Sequence, residues 1–172
     1  MRNLFIMVVM TMSFNLSAAE NFDELAVNHV EGFVSNYGKK SISHRKSDGK
    51  KYTKFRNELA TCATPEVLNM VLDDQEEFSN NLSFAVAIVF STEATSNVVK
   101  KSFDQPVIYN IVEKEANDDG MKYIIERDGK SKLMYEVQCG EHESKGLFGI
   151  KKTKASCMII KVIPKELYST PE

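Results

Sequence analysis

The chain has 172 residues, and its 22 basic and 24 acidic side chains set the net charge at −2, which excludes the large basic excess that general nucleic-acid binding calls for. With 42% hydrophobic residues it is long enough to bury the core of one domain without a metal or a dense set of disulfides. Its cysteines, Cys62, Cys139 and Cys157, are odd in number, so one of them is expected to be left over.

The chain opens Met1-Arg2-Asn3, runs through an apolar stretch from Leu4 to Phe14, and then offers Ser17-Ala18-Ala19 as the small residues that a signal peptidase reads. This three-part layout predicts a secretory signal over residues 1–19, cleaved after Ala19, because the apolar run falls short of the roughly 20 residues that span a bilayer. Cleavage removes one basic residue, Arg2, and no acidic one, moving the net charge from −2 to −3. Residues 20–172 are expected to form a single domain with a helical half over 20–104 and a β half over 105–164. In the oxidising compartment that an exported chain enters, cysteines are expected to pair.

From Phe22 the apolar residues Phe22, Leu25, Ala26, Val30, Phe33, Val34 and Tyr37 fall on one helical face, with Gly38 at the stop position. Residues 39–56 carry eight basic side chains around the turn Ser47-Asp48-Gly49 and read as a solvated loop. A second helix is predicted over Tyr52 to Ala63. A third starts at Thr64-Pro65, where the threonine hydroxyl can cap and proline fits the first helical position. Its polar face carries Asp73, Asp74, Glu76 and Glu77. Residues 82–103 alternate in the manner of a strand over Leu82 to Phe90, but their length and alanine content favour a buried helix.

After Pro106 the pattern turns to strands. Val107 to Glu115 alternates weakly, Asn117-Asp118-Asp119-Gly120 makes a turn, and Met121, Tyr123 and Ile125 mark one face of the next strand. Asp128-Gly129 fits a hairpin turn. Leu133, Tyr135, Val137 and Cys139 then share a face by the period of two. Residues 140–153, with three glycines, read as a loop. Ala155 to Ile163 is apolar on both faces, which predicts a central strand covered by helices. Helices followed by an antiparallel meander give an α+β fold, with N-terminal helices packed on one face of a C-terminal sheet of three to four strands.

Cys139 and Cys157 are predicted to form a disulfide, since each lies where antiparallel neighbours come within bonding range. Cys62 is then a buried helical thiol that behaves as a small apolar residue; the alternative is that it pairs with Cys139 or Cys157 and leaves a different cysteine free. The run Cys139-Gly140-Glu141-His142-Glu143 gathers a thiol, an imidazole and two carboxylates, yet zinc needs about four ligands in recognisable pairs and the sequence offers no second pair. No metal and no cofactor is therefore expected. No catalytic residue is assigned, because no nucleophile elbow, S-x-x-K, phosphate loop or H-E-x-x-H appears.

The best binding candidate is the run Leu147, Phe148, Ile150, Lys151 and Lys152, apolar anchors between glycines with a basic rim. These features lead us to expect a periplasmic or secreted, non-catalytic binding protein of the inhibitor, immunity or accessory-factor kind. Its partner is expected to be another envelope or secreted protein, with no nucleic acid and no stable membrane insertion after signal cleavage. One alternative is a small apolar ligand held between sheet and helices by Tyr109, Tyr123 and Tyr135. Another is a hydrolase built around His142.

Overall fold

A computed structural model describes residues 22–38, 49–72, 81–128, 131–145 and 151–168. The predicted signal segment, the acidic run at 73–77, Gly129 and residues 146–150 lie outside them. Among the described residues four helices precede a four-stranded antiparallel sheet of order β1-β2-β3-β4, an α+β fold. The helices are α1 (22–38), α2 (Gly49–Leu59), α3 (Pro65–Leu72) and α4 (Asn81–Ser102); the strands are β1 (Tyr109–Asn117), β2 (Gly120–Arg127), β3 (Leu133–Lys145) and β4 (Lys151–Pro164).

The predicted face of α1 is buried through Ala26, Val30, Phe33, Val34 and Tyr37. These residues join one core cluster with Tyr123, Ile125, Tyr135, Val137 and Ile159 from the sheet. Rings interlock inside it, Tyr37 lying edge-on to Phe90 at 4.7 Å and Phe90 meeting Tyr135 at 6.4 Å. Residues 81–102 form a helix, in keeping with the length of that segment. Val86, Ala87, Phe90 and Ala94 face the core, while Ile88 and Val99 on the other side are half exposed. α4 ends in paired bonds from Asp104 N–H to the Lys101 carbonyl and from Gln105 N–H to that of Lys100, with Asp104 at φ 53°. That is the left-handed helix stop usually given to glycine.

Four expectations are corrected. The helix predicted to start at Tyr52 begins at Gly49, so Lys50, Lys51 and Lys54 belong to α2, whose buried side is Phe55 and Leu59. That helix also stops at Leu59, which leaves Cys62 half buried in the following turn. Thr64 does not cap through its side chain: the hydroxyl finds no partner, while the backbone N–H is bonded to the Ile159 carbonyl. Finally, β4 is an edge strand and not a central one. Part of its free edge is covered by a parallel bridge between Ala63 and Ile159, where Ile159 N–H donates to the Cys62 carbonyl. That cover, and not a fifth strand, lets so apolar a segment sit at a border.

Two bulges shape the sheet. Val112 is the extra residue between Ile111 and Glu113 on β1, and Ile160 the extra one between Ile159 and Lys161 on β4. A bulge shifts the side-chain alternation by one. Beyond Val112 it brings Lys114, paired with Tyr123, onto the helix side of the sheet. There Lys114 Nζ and the Tyr123 hydroxyl both donate to the Asp23 carboxylate of α1, at 2.8 and 2.9 Å. The opposite face is mostly polar, with Lys122 bridged to Glu115 at 2.9 Å. The C-terminal turn Lys165–Leu167 leads back to it, and Tyr168 donates its hydroxyl to Glu113.

Candidate functional site: the β3–β4 arm

β2 pairs with β3 only as far as Met121 opposite Cys139. β3 then runs on from Gly140 to Lys145, paired among the described residues by β4 alone, down to Lys145 opposite Lys151. At about 3.3 Å per residue this two-stranded ribbon reaches roughly 20 Å past the last rung of β2. Such ribbons are marginal by themselves. This one is tied at its root, where Cys139 and Cys157 are direct register partners joined by the predicted disulfide, their Cα atoms 4.0 Å apart. Both cysteines are buried.

The arm corrects the sequence reading of 140–153 as a loop. Glu141, His142 and Glu143 lie in β3, opposite Ala155, Lys154 and Thr153. Lys151 and Lys152 open β4 at the far end of the arm, opposite Lys145 and Ser144. Leu147, Phe148 and Ile150, the other members of the predicted contact run, fall between the two strands in the sequence and lie outside the described residues.

The arm's root is fixed by two glycines, one in the β1–β2 turn and one on β3. Gly120 has φ +128°, and a Cβ there would stand 2.2 Å from the Cys139 carbonyl oxygen. A Cβ on Gly140 would stand 2.5 Å from the Asp119 carbonyl oxygen. The turn thus lies hard against β3 at the place where β2 stops. Nearby, Asn117 and Gln138 reach each other and exchange amide bonds at 2.9 and 3.1 Å. Beside the turn a cleft of about 520 Å³ is lined by Asp118, Asp119, Gln138, Gly140, Glu141 and Ser156 among others. Asp118, Asp119 and Glu141 are exposed and give this root an acidic border.

A buried polar cluster holds the other end of the sheet. Arg127 Nη1 donates to Asn97 Oδ1 at 2.6 Å and to the Glu93 carbonyl at 3.2 Å. Asn97 Nδ2 donates to the Tyr109 hydroxyl at 2.8 Å. The Glu93 carboxylate accepts Lys132 N–H at 2.8 Å and has Ser131 Oγ 2.9 Å from both of its oxygens. Nothing in composition signals this cluster, because partners such as Glu93 and Ser131 stand 38 residues apart in the chain.

The three tyrosines named for a ligand pocket are all buried. Tyr109 bonds to Asn97, Tyr123 bonds to Asp23, and the Tyr135 hydroxyl has no hydrogen-bond partner. Burial raises the phenol pKa of each above its ordinary value, and for Tyr123 the Asp23 carboxylate adds to the rise. His29 Nε2 donates to the Cys62 carbonyl at 2.8 Å and is thus a helix-to-turn tie. Among the described residues no group of three His, Cys, Asp or Glu side chains could hold a metal ion. No helix among them is long and apolar enough to cross a membrane. Compared with protein-family models, with curated proteins and with solved structures, the chain finds no match.

Proposed function

We propose that this is an exported, non-catalytic binding protein that contacts another envelope macromolecule, a protein in the first instance, through the β3–β4 arm. The arm itself carries the reading: a ribbon with no third strand among the described residues, clamped at its root by a disulfide, has Lys151 and Lys152 at its far end, next in sequence to Leu147, Phe148 and Ile150. Apolar anchors beside a basic rim are the composition of a contact surface. The N-terminal sequence and the disulfide support export, since such bonds persist in oxidising compartments. An inhibitor, immunity or accessory role fits this arrangement better than a hydrolase around His142, a strand residue of the arm whose register partner is Lys154.

The test is a photo-crosslinking residue placed at Lys152 in the exported protein. It is expected to capture one envelope protein in stoichiometric yield, and Phe148→Ser is expected to abolish capture without lowering the melting temperature. Capture of nothing, or equal capture from a position on β1, overturns the reading.

A further inference from the structure

Three strand edges of the sheet are open among the described residues, and they are not alike. On β1 the edge is interrupted by the Val112 bulge. On β4 the edge is engaged at Ile159 by the Cys62–Thr64 segment and elsewhere carries Lys151, Lys152 and Lys154. Bulges, lysines and covering segments are the devices by which edges are kept from pairing. On β3 the stretch past Cys139 has none of them before Lys145 among the described residues. Its register with β4 runs without a shift from Val137 to Lys145.

That edge also has a polarity. Glu141 and Glu143 take alternate positions along it, and the exposed Asp118 and Asp119 stand at its inner end, where the turn abuts Gly140. A strand laid there continues the line of β2, beginning beside the acidic turn and ending at Lys145. Opposite charges across a strand pair stabilise it, and like charges do the reverse.

We infer that the β3 edge from Glu141 to Lys145 accepts an extended segment of the partner protein by strand addition, and that this segment carries basic residues at alternate positions, in register with Glu141 and Glu143. Main-chain bonds supply the affinity in such pairing and the alternate side chains supply the selectivity. This rests on the proposal that the arm is the contact element, and it names the chemistry of what the arm meets.

The probe is a synthetic peptide with lysine and threonine in alternation, set beside a control of the same composition with a central D-proline. Hydrogen exchange of the exported protein is expected to show new protection in residues 141–145 and none in β1 or in Lys151–Met158. The doubly reversed variant Glu141→Lys, Glu143→Lys is expected to bind about tenfold more weakly, and the D-proline control not at all. Equal binding of the control means charge alone and overturns strand addition. So does protection at β1 or β4, or a dimer in sedimentation equilibrium that already occupies the edge. Failure of the peptide while Lys152 still crosslinks an envelope protein removes this inference and leaves the arm's role standing. Peptide binding with no crosslinked partner does the opposite.

Discussion

Met121 lies opposite Cys139 on the last rung that β2 shares with β3, and the disulfide to Cys157 sits on that same rung. The covalent tie stands where hydrogen-bonded support from a third strand ends. Replacing both cysteines by alanine is expected to cost about 3 kcal/mol, the chain-entropy value for a separation of 18 residues. Exchange protection should be lost first in 140–145 and 151–156. Free alkylation of both thiols in protein purified without reductant would contradict the bond itself.

Gly120→Ala is expected to destabilise by more than about 2 kcal/mol, because an alanine at φ +128° is strained and its Cβ meets a carbonyl oxygen that cannot move without β3. Urea unfolding measures the loss. Amide exchange at Asn117 and Cys139 would show whether the turn has lifted from the arm's root, and a variant as stable as the parent would refute the close contact.

Removing the buried carboxylate at Glu93 strips an acceptor from the Ser131 hydroxyl and from the Lys132 N–H, while Arg127 keeps its bonds to Asn97 and to the Glu93 backbone carbonyl. Glu93→Ala is expected to cost about 2 kcal/mol, the penalty of leaving buried donors unpaired. Glu93→Gln, which still accepts hydrogen bonds, should cost clearly less. Equal losses in the two variants would mean that packing volume, and not the hydrogen bonds, is what matters.

Two groups titrate against stability with opposite signs. The Lys114 ammonium, with help from the Tyr123 hydroxyl, holds the Asp23 carboxyl below its ordinary value despite some opposing burial. Its contribution is therefore present above about pH 4 and lost as the pH falls below that. Asp23→Asn is expected to cost about 0.5 kcal/mol near neutrality, as suits a partly exposed pair, and the gap to the parent should close in acid. At the alkaline end, burial and then the Glu113 carboxylate push the Tyr168 phenol up to about 12. Its contribution is complete below about pH 10 and disappears as the pH rises through 12. Spectroscopic titration of Tyr168→Phe should lack one late-ionising phenol, and an unchanged curve would exclude the contact with Glu113.

The helices at 22–38 and 81–102 are legible in the sequence because burial on one side imposes a 3.6-residue period or a long apolar run. Cys139 and Cys157 are legible because the period of two puts Cys139 on the face of Tyr135 and Val137. The arm is not. Gly140 to Lys145 and Lys151 to Lys154 contain no large apolar residue, so no alternation marks the strands, and pairing there is a property of the backbone and of the tie at its root. The bulges at Val112 and Ile160 are hidden for a related reason: each is defined by a partner strand, and no single stretch of sequence contains both. Of the contact run, Lys151 and Lys152 fall at the arm's far end, a position that composition alone cannot tell from a loop.

The bridge from Ala63 to Ile159 has a consequence for the order in which the molecule can be completed. A chain threaded amino end first delivers the helices well before β4, yet the N–H of Thr64 waits on Ile159 for its bond, and the Cys62 carbonyl, which His29 can already meet, waits there for its second. Contacts so distant along the chain close late and slowly. The helical half therefore emerges with its apolar side bare, and the final strand to arrive is the one that shuts the structure.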